Sequence, residues 1–333
     1  MSAAEDRVEH LRVLRRYQDA EREARAALAA EPGDAGVLAE LAAVLLAADR
    51  HVEGLEAAEA AIAADPEHGW SHRLRALHLS ELGRHDEAVA AAEVAVVLDP
   101  EQPLAALDHS TVLRAAGRLE AAGREALRAV QLAPEQHSAH LGVGLAAAAL
   151  DDLDTARYAY GEVLRLDPGN AAARNNLAAL DMRVDRLGDA WRGLLDAGAL
   201  DPTLDAVHHN VATVLRRLCM RLALSLGGAA LLAVLVTGYR SGAPTRVAGA
   251  VALLVGLAVA GGMARQLPGG TRPVAVATLR ADPGLRWCFL GLGAGALLDL
   301  AAVVSGGRGL LVWTAIVALG VLAVRVTDGY GNG

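Results

Sequence analysis

Lysine is absent from the 333 residues, so all 31 basic side chains are arginine. Aromatic residues make up 3%, with a single phenylalanine, and there are two cysteines, Cys219 and Cys288. Each shortage excludes something. Two cysteines make neither a disulfide framework nor a thiolate zinc site. Few stacking rings and a net charge of −8 argue against nucleic-acid binding, which needs basic surface and often aromatic platforms. There is no phosphate loop, no Gly-x-Ser-x-Gly, no His-Glu-x-x-His and no cysteine pair at metal spacing. The chain therefore reads as a non-enzyme without cofactor or metal. Acids are missing from one region only. Residues 206–333 hold three, Asp282, Asp299 and Asp328, against eleven arginines, a balance of +8. Residues 1–205 balance at −16. An acidic, alanine-rich half is followed by an apolar half, and 333 residues suffice for two domains. The exclusive use of arginine is the codon bias expected of a GC-rich bacterial genome.

What is present in the first half is a period. Pro32, Pro66, Pro100, Pro134, Pro168 and Pro202 are spaced 34 residues apart, each closing a short phrase such as Leu-Asp-Pro-Glu. Positions are numbered back from the proline that ends each repeat. At −12 stand Ala20, Gly54, Ala88, Ala122, Ala156 and Ala190; at −5 Ala27, Ala61, Ala95, Ala129, Val163 and Ala197; at −24 Val8, Ala42, Ala76, Ser110, Gly144 and Ala178. Small residues recur where two helices must approach closely, and polar breaks such as residues 82–86 and 116–120 separate them. Each repeat is therefore predicted to be two helices joined by a tight turn and ended by a proline, which cannot continue a helix.

This period, with its prolines, small positions and polar turn, resembles the tetratricopeptide repeat (TPR) family over residues 1–204. The resemblance implies an all-α fold: a solenoid of six helix pairs with a following capping helix. Residues 204–217 have apolar spacing for that helix, at Leu204, Val207, Val211, Val214, Leu215 and Leu218. Large aromatics usual in the family are mostly missing, Tyr160 excepted. Repeat one, with Val8 at a small position and a charged first helix, is read as a fraying polar cap. Repeat six departs at Asp181 and Gly198.

The resemblance also implies a binding surface, because the first helix of each pair lines a concave face. Its groove positions are −30, −27, −23 and −20. In repeats three to five they give Trp70, Arg73, Leu77 and Ser80; Leu104, Leu107, Thr111 and Arg114; and Ser138, Leu141, Leu145 and Ala148, of which all but Ser80, Ser138 and Ala148 are taken as candidate binding residues. This is an apolar surface with scattered arginines, and Trp70 is expected to be exposed on it as an anchor for an apolar segment. A clamp for a C-terminal carboxylate, built in some TPR proteins from Lys and Asn, lacks its lysines here. Ordinary packing between repeats is the other reading of each groove leucine. The histidine pairs His68/His72, His137/His140 and His208/His209 supply two ligands each and no placed third, so they read as helix surface.

The second half contains four apolar stretches bounded by arginines, residues 222–239, 247–264, 287–307 and 309–324. At 1.5 Å per residue they measure roughly 24–32 Å, near the ~30 Å bilayer core. The domains are accordingly placed at 1–216 for the solenoid and cap, 217–326 for four transmembrane helices, and 327–333 for a short tail. The charged N-terminus predicts no signal peptide there. Eight arginines lie on the side shared by residues 216–221, 265–286 and 325, and three on the other. The repeats, residues 265–286 and the C-terminus are therefore expected to be cytoplasmic, with both cysteines reduced. No Pro or Gly interrupts residues 204–226, so cap and first span should form one helix, with Arg217 and Arg221 on anionic headgroups at about 1 kcal/mol each. Glycines such as Gly291 and Gly295 permit close helix contact and a possible homo-oligomer. Asp299, the one acid inside a span, reads either as a proton or cation relay or as a structural acid bonded to Thr314.

These observations describe a multi-pass cell-membrane protein. Its function is expected to be that of a non-catalytic scaffold capturing a protein or peptide partner in the TPR groove. The alternative is a small transporter or channel component regulated by cytoplasmic repeats.

Overall fold

A computed structural model describes residues 2–237, 243–266, 278, 280–305, 310–314 and 316–318. It divides into two compact units, Met1–Pro168 and Gly169–Gly333.

The first unit holds five helix pairs: α1 (Ala3–Val13) with α2 (Tyr17–Ala30), α3 (Ala35–Ala47) with α4 (His51–Ala64), α5 (Gly69–Glu81) with α6 (His85–Leu98), α7 (Pro103–Ala115) with α8 (Leu119–Leu132), and α9 (His137–Ala149) with α10 (Leu153–Leu166). Within each pair the helices are antiparallel neighbours, because the joining turn is too short for anything else. That turn has one solution throughout. The residue at −17 takes a left-handed backbone, at Arg15, Asp49, Gly83, Gly117 and Asp151. The next backbone N–H then reaches back to a carbonyl of the first helix, as Arg84 N to Leu79 O at 2.9 Å and Arg118 N to Leu113 O at 2.8 Å. This closes the helix end and turns the chain. Prolines follow the second helix, and the chain re-enters a helix two residues later. There Asp34 accepts from Val37 N at 3.0 Å, an N-cap bond that satisfies an orphan donor.

Packing follows the small positions. Ala20, Ala88, Ala122 and Ala156 at −12 are all 0% exposed. Where one of these positions is glycine, a ring fills the space. The His78 imidazole lies against Gly54, and the Tyr160 ring against Gly144, so neither site has room for a Cβ. First helices also touch their successors, α1 with α3 through α7 with α9, which makes them the inner lining. Repeat one is not frayed. Ser2 and Glu5 form a reciprocal capping box at 3.2 and 3.0 Å, and Val8 is fully buried, because its side chain fills the core that a smaller residue would leave open.

The second unit begins with the sixth pair, α11 (Ala171–Arg183) and α12 (Leu187–Leu200), whose turn has Asp185 left-handed. α13 (Asp205–Thr237) follows as one continuous helix of 33 residues. Gly198 faces Val207 across the α12–α13 contact. Trp191, unremarked in the sequence, is 0% exposed at the centre of this core. α14 (Ala243–Gln266) and α15 (Pro283–Ser305) pack on α13 and on each other. α13, α14 and α15 are each long and apolar enough to cross a membrane. Of the fourth expected span, residues 310–314 and 316–318 are helical, and the rest lies outside the described residues.

Candidate partner-binding groove

The nine residues expected in the groove lie on α5, α7 and α9, at spacings of three and four that put those of each helix on one face. None is fully buried. Leu104 and Thr111 are exposed; Trp70, Arg73, Leu77, Leu107, Arg114, Leu141 and Leu145 are half-buried.

Their environments divide them. Trp70 is not an exposed anchor. Its ring packs against the buried cluster of Val37, Leu38, Leu41 and Leu74, lies 5.5 Å from the Arg12 guanidinium and meets the His68 ring edge-on at 6.3 Å. A ring this large at −30 covers the seam toward the preceding repeats instead of standing clear of it. Arg12 in turn binds Glu40 through two bonds of 2.7 and 3.2 Å. Glu40 is 2% exposed. Burial pushes its carboxyl up from the ordinary range, and Arg12 opposes that shift. Arg73 is likewise committed. Its Nε donates to Asp108 at 2.7 Å, and burial raises the Asp108 carboxyl despite the arginine. A buried carboxylate needs such a partner, so Arg73 is not free to hold a ligand.

A rule that sequence reading missed explains this. In repeats three, four and six the residue at −27 packs on the residue 35 positions later. Arg73 meets Asp108, Leu107 fills the space above Gly142, and in the second unit Asn210 Nδ2 donates to Asn175 Oδ1 at 2.9 Å. The signal was present as complementary pairs at a spacing of 35. Arg73 and Leu107 therefore lie in the seam between first helices. Surface remains at Leu77, Leu104, Thr111, Arg114 and Leu145. The Thr111 hydroxyl donates to Leu107 O at 3.1 Å along its own helix, and Arg114 makes no ion pair among the described residues.

Three of the paired histidines also have work in the fold. His72, His140 and His208 each direct Nε2 at the carbonyl of the proline six residues earlier, at 3.0, 2.8 and 3.0 Å, satisfying an acceptor that the proline turn leaves open.

Arg217 and Arg221, near the middle of α13, are placed differently from the expectation that they meet headgroups. Arg217 Nη1 donates to Met182 O, and Arg221 pairs with Asp185. Both hold the turn of repeat six, because the helix brings them beside its carbonyl and its acid. Arg216 binds Asp282 at 2.6 Å, while the other oxygen of Asp282 caps α15 through Leu285 N at 3.0 Å.

Against known proteins, the family profile described as tetratricopeptide repeat matches residues 6–69, 53–103 and 107–171. No curated protein matches the chain. Three solved structures are similar in fold. A tetratricopeptide repeat protein from Parabacteroides merdae is 14% identical, with 63% of this chain and 84% of that one covered and a TM-score of 0.52. A chain of the APC/C hetero-tetramer Cut9–Hcn1 is 17% identical, with 71% and 42% covered and a TM-score of 0.52. PilF of Pseudomonas aeruginosa is 19% identical, with 62% and 94% covered and a TM-score of 0.50. With the 34-residue period, the left-handed turns and the buried small positions, these likenesses identify the N-terminal helix pairs as tetratricopeptide repeats, carried on an all-α chain that also has apolar helices of membrane-spanning length.

Proposed function

We propose that the chain is a membrane-anchored, non-catalytic scaffold whose TPR groove captures an apolar segment of a protein or peptide partner. One observation carries this reading. The inner face of α5, α7 and α9 leaves Leu104 exposed and Leu77 and Leu145 half-buried. Trp70 and Arg73 support that face from its edge by ordering α5. The C-terminal helices would hold the repeats at a bilayer, with the repeats, residues 265–286 and the C-terminus on the cytoplasmic side by the arginine balance.

The groove is tested on the full chain in membranes with a photo-crosslinking residue at 104 or 145, and at 97 on the outer face of α6, where Val97 is 78% exposed. The expected result is a discrete partner band from 104 and 145, absent from 97, and lost when Leu77→Asp is added. Equal labelling from all three positions rejects the groove. Topology is tested separately by cysteines introduced at 241 and 271. Reagent applied from outside should reach 241 and not 271.

A further inference from the structure

α15 carries one acid within its apolar length. Asp299 lies six residues before the end of the helix at Ser305, roughly 9 Å inside it at 1.5 Å per residue. It is 0% exposed, enclosed by helices of its own unit. Both carboxyl oxygens are buried without a hydrogen-bond partner among the described residues. Thr314, itself buried, is the hydroxyl within reach of the acid, though it is not placed for a hydrogen bond of ordinary geometry to either oxygen. The Thr314 hydroxyl also has two helix carbonyls within reach, Leu310 O at 3.2 Å and Gly295 O at 3.4 Å, and its single proton can serve only one acceptor. An oxygen that has donated its proton offers only lone pairs. A carboxylate offers only lone pairs as well, so the two would meet as acceptors. A neutral carboxylic acid supplies the donor that this arrangement lacks.

No cation among the described residues accompanies the acid. On α13 the ionisable groups end at Arg221, near the middle of that helix; on α14 Arg246 is exposed and Arg265 stands next to the last residue; on α15 Arg286 and Cys288 lie near the start; residues 310–314 and 316–318 have none. An unpaired ionised acid in such surroundings is strongly disfavoured, and retained acids of this kind mark function.

We propose that Asp299 is a proton-binding site within the helical unit, holding its proton as a neutral acid that donates to Thr314 Oγ1. This departs from the structural reading, in which the threonine donates to the acid. It rests on enclosure by the helices, so it stands or falls separately from the groove and from membrane insertion.

The test uses the full chain in detergent micelles and the apolar reagent N,N′-dicyclohexylcarbodiimide. A protonated acid adds across one C=N bond: its oxygen bonds to the central carbon, its proton passes to nitrogen, and nothing leaves. Peptide mass spectrometry should place an adduct on Asp299 at neutral pH, lost in Asp299→Asn and restored in Asp299→Glu. Infrared spectra of the wild type should contain an acid carbonyl band that is lost in Asp299→Asn and shifted in Thr314→Val. An unmodified Asp299 together with the absence of that band overturns the proposal. The wild-type spectrum and the Glu variant decide the matter if the Asn variant does not fold. A chain that stays soluble without detergent would reject the membrane anchor and leave this test intact.

Discussion

At the scale of single residues, the repeats reuse one backbone solution with unequal residues. Gly83 and Gly117 take the left-handed conformation freely, whereas Arg15 and Asp151 take the same conformation, at φ 56° and 65°, against the steric preference of an L-residue. Arg15 is exposed and makes no ion pair among the described residues. Arg15→Gly is therefore expected to stabilise the first unit by about 1 kcal/mol, less the entropy glycine adds to the unfolded chain. A rise in the denaturant midpoint at unchanged slope would register it. The opposite applies at Gly54. Its site is filled by the His78 ring, so Gly54→Ala should overpack the pair and destabilise by about 1–3 kcal/mol. Thermal unfolding of Gly54→Ala beside Gly54→Ala/His78→Ala checks the cause: the second substitution should recover part of the loss if the ring is the obstacle.

At the scale of elements, acid sensitivity is built into the contacts between first and second helices. His78 is fully buried, its Nε2 on Ala42 O at 3.1 Å, with His51 5.8 Å away. Burial lowers the pKa of His78 and of His109 from the usual histidine value of 6.5. In both cases the unfolded chain takes up its proton first. The stability they support is fully present above about pH 6.5 and falls as pH drops, by up to about 1.4 kcal/mol per unit for each. Glu40 and Asp108 act in the other sense: burial raises their carboxyls from 4.5 and 3.8, so the folded chain takes up their protons first and they offset part of that loss as pH falls. The histidine contribution starts to be lost between about pH 6.5 and 5. Unfolding curves across that range, for the wild type and for His78→Gln, should separate the slope due to His78. Near the middle of α13, Asp185→Ala removes the partner of Arg221. It is expected to speed amide exchange in the α11–α12 turn, because that turn is held to the helix by Arg217 and Arg221. Unaltered exchange would assign the ion pair no role there.

At the scale of the whole molecule, the last core extends from repeat six into the apolar helices. Ala178, Trp191 and Leu194 share one buried cluster with Val207, Val211 and Leu215, and with Leu285, Cys288 and Ala318. A fragment ending at residue 216 deprives this cluster of its α15 members. Its residues 171–215 should exchange amide protons faster than in the full chain, while those of 1–168 should not. The period of 34, the paired helices, the small buried positions and the continuity of α13 were all legible in the sequence. They depend on local spacing: where a proline ends a helix, where a Cβ is too large, where no breaker occurs. The partners of long side chains were not legible. Trp70 lies against a neighbouring core rather than in solvent, Arg73 reaches Asp108, and Arg217 and Arg221 reach Met182 O and Asp185 rather than headgroups. A residue type and a helix face specify the direction in which such a side chain starts. Where it ends depends on which acceptor or apolar surface packing places within its reach, and that is decided only when residues about a repeat apart in the chain come together.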